Sequence, residues 1–297
     1  TNMINSLQGK AAGVVITPNT TGAGGSSKVV IRGNKSAQGN NQALIVIDGI
    51  PMTNNTTSQV ESVYGGRDSG DALSNLNPED IASINVLKGA SAAALYGSQA
   101  ANGVVLVTTK KGSSGRVRVD FSSNITIESA LDKPEIQTTY GAPVLSNGSL
   151  DENSWGEKIT NGVNASDDFF RTGATYINSV AISGGTDKIQ SYVSYANTTA
   201  EGIMPTNDFK RHNILLKQTY KLLNDRLTIS GSANFISQKG KNRPRGGHYL
   251  NALTGLYTFP ANGDWNYYKN TFETYNEVRQ INEQNWYRNV NKDFSQN

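Results

Sequence analysis

Cysteine is absent from the 297-residue sequence. Disulfides, zinc–thiolate sites and cysteine nucleophiles are thereby excluded within it, and an oxidising compartment is compatible with that composition. Charge is scarce. Asp, Glu, Lys and Arg make up 17% of the residues, against about 25% in average soluble domains. The net charge of +3 leaves no electrostatic footprint for nucleic acid. Long hydrophobic runs are missing too, and no stretch approaches the ~18 consecutive apolar residues of a transmembrane helix. The opening residues Thr1-Asn2-Met3-Ile4 have neither a basic n-region nor an apolar h-region, so no signal peptide is expected there. Hydrophobic residues amount to only 36%, and 30 glycines raise the apolar share toward its usual level. Much of the rest is Asn, Ser, Thr and Gln. With 13 tyrosines, this mix favours β structure with long polar loops over a helix bundle.

Catalytic patterns are lacking as well. The two histidines, His212 and His248, stand in no recognisable triad or metal spacing. Gly22 to Lys28 is glycine-rich, but it misses the phosphate-loop spacing and leads into a β run. Glu135, Asp151, Glu152 and Glu157 fall in a loop without the pattern of a glycosidase carboxylate pair. No enzyme is expected.

What is present falls into two parts. Residues 1–112 read as a small mixed α/β unit. Val14 to Ile16 and Val29 to Ile31 are short β runs, and Ala43 to Ile47 is a continuous apolar strand stopped by Asp48-Gly49. Asn77-Pro78-Glu79-Asp80 has the cap, proline and acids of a helix start. Ser83 to Leu87 reads as a strand, Ala90 to Leu95 as a small-residue helix, and Gly103 to Thr109 as the last strand.

From residue 113 to 297 the period changes. Val117, Val119, Phe121, Ile125 and Ile127 alternate with polar residues from Arg116 to Glu128. Ordinary strands have a mode of about five or six residues, whereas this length and pattern suit a transmembrane β-strand. The alternation recurs around Val180 and Ile182, from Ile189 to Tyr195, from Ile214 to Leu222 and from Leu227 to Phe235. Short turns are expected at Gly184 to Asp187 and Leu223 to Asp225, and long connections at about 130–174, 200–211 and from 239 onward. That asymmetry is the one between the two ends of an outer-membrane barrel. A soluble antiparallel sheet with one wet face is the competing reading.

The segment NPEDIASINVLKGASAAALYGSQAANGVVLVTTKKG, from Asn77 to Gly112, closely resembles the plug signature of TonB-dependent outer-membrane transporters, in the version of the SusC/RagA branch. Leu7 to Val14, Ala43 to Pro51, Asp168 to Gly173, Ser179 to Gly185 and Ser237 to Pro244 agree with it. The resemblance implies an outer-membrane barrel of about 22 strands with a plugged lumen. It implies import of a large nutrient, an oligosaccharide first and a peptide second. It also implies a SusD-like surface lipoprotein as lid and an inner-membrane TonB–ExbB–ExbD complex as energy source. Lipid and lipopolysaccharide would surround the barrel. A barrel-anchored receptor or adhesin without transport is the alternative. Five or six wall strands are legible here. The chain is therefore expected to be part of a longer protein, without the signal peptide, the N-terminal extension or the TonB-contacting segment.

Candidate substrate contacts follow. Tyr64, Arg67, Asp68 and Asp71 lie in a plug loop that faces the outer cavity in the resembling family. They suit sugar hydroxyls, a calcium ion held through oxygens, or an internal ion pair anchoring the loop. Trp155, Trp265, Tyr267 and Tyr268, together with Trp286 and Tyr287, enrich the outer loops in flat aromatic faces. Those faces suit sugar stacking, an interfacial girdle or contact with the lid. Arg171, Lys210 and Arg211 mark loop–strand junctions, where lipopolysaccharide or a solvated rim would meet them.

Overall fold

The computed structural model describes residues 4, 8–9, 11–18, 22–36, 41–52, 68, 70–146, 148, 150–151, 155–244, 246–247, 251–271, 273–276, 281–284, 287, 290 and 295–296. The N-terminal part holds two small sheets. Strands β1 (Val14–Pro18) and β2 (Ser27–Ile31) form an antiparallel pair. Strands β3 (Leu44–Ile47), β4 (Ile50–Met52), β5 (Ile81–Leu87) and β6 (Val104–Thr109) form a sheet in the order β4-β3-β6-β5. Only β3 and β6 run parallel. Helix α1 (Ala90–Tyr96) lies in the crossover between them.

The apolar run of β3 is continuous because both faces of this sheet are covered. Ile45, Val105 and Val107 pack with Val14, Ile16, Val29 and Ile31 of the β1–β2 pair. Val46 and Val104 pack instead with Ala92 and Ala100. The expected helix after Asn77 is a single 3-10 turn, Pro78–Asp80. Asn77 does cap it, accepting a bond from the Glu79 N–H, but Ile81 passes directly into β5, whose pairing with β6 wins over helix extension.

The second part is a wall of long strands: β7 (Gly115–Glu128), β8 (Gly173–Gly185), β9 (Ile189–Glu201), β10 (Asp208–Leu222) and β11 (Leu227–Lys241). Each pairs antiparallel with the next in sequence. Short helices α2 (Ser166–Phe169), α3 (Ala252–Tyr257) and α4 (Trp265–Asn270) sit in the connections. Strands β12 (Glu273–Asn276) and β13 (Ile281–Gln284) form a separate pair, and β14 (Ser295–Gln296) adds to the edge at β11. The sheet order is β14-β11-β10-β9-β8-β7, open between β14 and β7 among the described residues. The turns after β8 and β10 are short, as expected. The connection expected at 200–211 is cut to 202–207, because β9 and β10 extend their pairing to Glu201 and Asp208.

Alternation divides the wall into two faces. Phe121, Val180, Tyr195, Ile214 and Phe235 form one continuous rung across all five strands. The apolar band does not stay level with that rung. On β7 it reaches up to Ile125 and Ile127, while on β10 and β11 it reaches down to Tyr220, Leu222, Leu227 and Ile229. These side chains are exposed. A band that descends across successive strands is what strand tilt relative to a membrane requires, and an apolar surface this continuous is foreign to soluble monomers.

Candidate plug and wall interface

The other face of the wall meets the N-terminal sheets, and its inward residues carry the contacts. Asp48 follows β3 and is the centre of the first one. Its carboxylate accepts bonds from the Thr109 N–H at 2.9 Å, the Thr109 hydroxyl at 2.7 Å and the Lys217 ammonium of β10 at 2.8 Å. Burial pushes the Asp48 carboxyl up, but the bonds from Lys217 and Thr109 outweigh it and hold the group below its ordinary value. Next to it, the Tyr192 hydroxyl of β9 donates to Asp80 at 2.8 Å, and Asn213 of β10 donates to the Asn75 carbonyl at 2.9 Å.

Two arginines grip the opposite half. Arg211 of β10 donates to the Ser74 carbonyl, and Arg243, just beyond β11, donates to the carbonyls of Asp68 and Ala23. Both guanidiniums flank the Phe209 ring, at 5.9 and 6.0 Å from its centroid. Phe209 in turn presses on Gly24, where an added Cβ would stand 2.5 Å from the ring. Only glycine fits there, the more so because φ is +76°. The interface is thus polar and largely main-chain directed. Asn77 Nδ2, Ser194 Oγ and Asn213 Oδ1 are buried along it with no hydrogen-bond partner among the described residues. A cavity of about 550 Å³ opens beside it, lined by Tyr96 and Thr108 on one side and by Lys217, Thr219, Ser230 and Ser232 on the other.

The sequence-predicted contacts are spread over distinct environments. Tyr64 and Arg67 lie outside the described residues, as do Trp286 and His248. Asp68 and Asp71 are buried. Asp68 accepts bonds from the N–H and hydroxyl of Ser26 at 2.7 and 2.8 Å and from the Gly70 N–H at 2.8 Å. Asp71 accepts from the Ser27 N–H at 2.8 Å and the Ser74 N–H at 2.5 Å. These carboxylates hold the β2 strand to the loop before the 3-10 turn, and Arg243 takes the main chain of the same loop. The calcium alternative finds its oxygens already bonded to N–H and O–H donors.

The aromatics divide in the same way. Trp265 is buried against Phe169, Phe259 and Tyr287. Its indole N–H donates to Asp168 at 3.0 Å, and Lys269 donates to the same carboxylate. The bonds from Lys269 and Trp265 hold the Asp168 carboxyl below its ordinary value. Tyr268 packs on that cluster through Phe259, whereas Trp155 and Tyr267 stand open at 75% and 63% exposure. Arg211 is not a rim residue as expected, because it is buried within β10 on the inward face. Sequence reading passed over Asp48, Tyr192, Phe209, Lys217 and Arg243. The available signal was parity: Arg211 and Lys217 fall on the non-lipid set of their strand, where a charge needs a partner.

A sheet-and-helix body seated on the inner face of tilted, lipid-exposed strands is the architecture of a plugged outer-membrane barrel. Residues 1–104 match the family model for the TonB-dependent receptor plug domain. The chain is 32% identical over 249 residues to the TonB-dependent receptor SusC of Bacteroides thetaiotaomicron, covering 82% of this chain and 23% of that protein. It is 31% identical over 271 residues to the TonB-dependent receptor P26 of Formosa agariphila, covering 88% and 26%. Among solved structures, the RagAB peptide importer in its closed-closed state superposes with a TM-score of 0.62 at 22% identity, covering 89% of this chain and 32% of that one. The chain therefore spans about a quarter of the length of the curated relatives it matches. It belongs to the TonB-dependent outer-membrane receptors, in their SusC/RagA-type branch. Membership puts the tilted wall in the outer membrane, with its short turns at the periplasmic end.

Proposed function

We propose that the receptor containing this chain imports a large nutrient across the outer membrane, best an oligosaccharide. It works with a SusD-like lid lipoprotein and is driven by TonB, ExbB and ExbD. The division falls at Gly112, with a plug before it and barrel wall after it, in a barrel of about 22 strands when whole. One observation carries the transport reading. Among the described residues, the plug is held to the wall by polar bonds, most of them to main-chain carbonyls, and not by a shared apolar core. Breaking such contacts exposes no apolar core, and the freed polar groups take water once the plug has moved, so the plug can be displaced without unfolding the barrel. Trp155 and Tyr267 support the glycan reading, because they offer open aromatic faces to sugar rings. Tyr64 and Arg67 belong to the same proposed surface. Trp265 and Tyr268 support it by fixing the helix on which Tyr267 rides, and Asp68 and Asp71 by holding their loop to β2.

The test is uptake of a labelled oligosaccharide by cells carrying the full-length receptor, with and without a functional TonB. Accumulation that needs TonB, the plug and the lid supports the proposal. Binding at the surface with no TonB-dependent accumulation would make the protein a barrel-anchored receptor instead. Uptake of a labelled peptide pool but no glycan would move the substrate to peptide, which is what the RagAB structures are described as importing.

A further inference from the structure

The plug and the wall do not meet evenly along β10. Toward its outer end the seam is closed. Arg211 and Arg243 hold the main chain of the plug loop, Asn213 holds Asn75, and Phe209 fills the space against Gly24. Toward the short turn after β10 the two bodies part, and the cavity of about 550 Å³ lies between them. At ~3.4 Å per residue and a tilt of ~40°, Thr219 stands about 20 Å nearer the periplasm than Arg211 on the same strand. Among the described residues, the bond from Lys217 to Asp48 is the only side-chain bond from this lower stretch to the plug.

The cavity is lined by groups with bonding capacity to spare. Thr219 of β10 and Ser230 of β11 are register partners that share one long contact at 3.3 Å, and Ser232 lies on the same face. Tyr96 and Thr108 present hydroxyls from the plug side. Tyr96, Thr108 and Ser232 make no side-chain hydrogen bond among the described residues. Each of these hydroxyls can both donate and accept. Apolar surface lies among them, from Ile50 and Leu106 of the plug. Charge is close to balanced, because Lys217 and Asp48 satisfy each other at 2.8 Å. That leaves Lys111 as the one ammonium there without an ion-pair partner among the described residues.

This lining suits a neutral polyhydroxylated solute. A sugar ring carries hydroxyls around its rim that give and take bonds, and C–H faces that pack on Ile50, Leu106 and the Tyr96 ring. An anion would find one free cation with the Asp48 carboxylate close by. A purely apolar solute would leave the hydroxyls without water or partners. The volume falls within the ~300–1,000 Å³ usual for small-molecule sites. We propose that the cavity is a transit subsite, which holds one or two rings of an oligosaccharide that has passed the outer half of the seam and not yet entered the periplasm. The proposal rests on the reading of the receptor as a glycan importer and adds the inner half of its route. The passage is then already half open, and the part that must move is the seal at Phe209, Arg211 and Arg243.

The test uses the full-length receptor carrying Ser232→Cys, purified in detergent. Maleimide labelling of the peptide containing position 232 is followed by mass spectrometry. Maltose and cellobiose, α- and β-linked probes at millimolar concentration, should each slow labelling several-fold. Trialanine and inorganic phosphate should not. Ser122→Cys, on the inward face of β7 and outside the cavity, should label equally with and without sugar. Adding Thr108→Ala to Ser232→Cys should raise the sugar concentration for half-protection about threefold to tenfold, the usual loss for one hydrogen bond. In cells, Ser232→Trp fills the cavity. It should lower the maximal rate of TonB-dependent oligosaccharide uptake and leave the half-saturating concentration unchanged, because capture happens at the outer face. No protection by either disaccharide, or equal protection by trialanine, overturns the subsite whether or not cells take up glycan. Selective protection in a receptor whose cells import no glycan refutes the import reading and the transit role with it, but keeps the saccharide site. A folding defect in Ser232→Cys is recognised by loss of heat-modifiable migration, and Thr219→Cys on the paired strand then serves as the probe.

Discussion

Replacing Asp48 by alanine should loosen the plug at one defined point. Three donors converge on this carboxylate, the Thr109 N–H, the Thr109 hydroxyl and the Lys217 ammonium, all within 2.9 Å. The Lys217 side chain is only 13% exposed and that of Asp48 26%, so water replaces these bonds poorly. A hydrogen bond to a charged group contributes about 1.5–3 kcal/mol, and a donor left buried and unpaired adds its own penalty. The expected local loss is about 3 kcal/mol, or roughly a hundredfold in an opening equilibrium. Hydrogen exchange in the full-length receptor reads this directly, because the Thr109 amide is itself one of the donors. Its exchange should accelerate by about two orders of magnitude in Asp48→Ala. Lys217→Met should give a smaller change, because it removes the cation and leaves Thr109 bonded. The double variant should be less than additive. Acid acts on the same group. The folded carboxyl sits below its ordinary value, so its stabilising effect is complete above the ordinary carboxylate range. That effect is lost as pH falls through the lower folded value. Unchanged Thr109 exchange in Asp48→Ala, or strict additivity with Lys217→Met, would refute this account of the contact.

Gly24→Ala should unseat the segment before β2, because the new methyl meets the Phe209 ring and the φ of +76° is strained. A cost of about 2–4 kcal/mol is expected, visible as faster exchange in β1 and β2 while the wall is unaffected. Phe121→Lys puts a charge on the lipid face of β7 and should cost about 2–4 kcal/mol near mid-membrane. Ser122→Lys, one residue on and facing inward, should assemble normally as judged by heat-modifiable migration. Trp155→Ala and Tyr267→Ala should lower oligosaccharide affinity without changing thermal stability, since both rings are exposed. Asp168→Asn should cost under about 1 kcal/mol, because its carboxylate is 62% exposed and its bond to Lys269 is well solvated.

Much of the fold was legible because it is written in local periodicity. The alternation from Val117 to Ile127 identified a long strand and its lipid face together, and the turns at Gly184 and Leu223 were marked by small and polar residues. The boundary errors have one cause. Pairing with a neighbour extended β9 and β10 into residues that look like loop, and pairing with β6 turned the residues after Asp80 into strand. The interface was much less legible. Asp48 reads as a strand stop and Lys217 as one more strand residue; only the register of β10 against the plug makes them partners across 169 positions of sequence. Trp265 and Trp155 look alike in sequence, yet one is buried and the other open, a difference set by distant Phe169 and Phe259.

The connection at Gly112 has a mechanical consequence. An added Cβ there would stand 2.5 Å from the backbone of Ser191, so the chain threads tightly past β9 before entering β7 at its periplasmic end. A pull on the plug toward the periplasm therefore loads β7 along its own axis. Antiparallel hydrogen bonds lie across the strands, and beyond an irregularity after Gly115 the β7–β8 ladder runs unbroken from Arg118 to Glu128. Axial load shears those bonds as a group, where a sideways load would peel them one at a time. The wall end of the tether is the strong end, and the scattered polar contacts between plug and wall are where force would first break something.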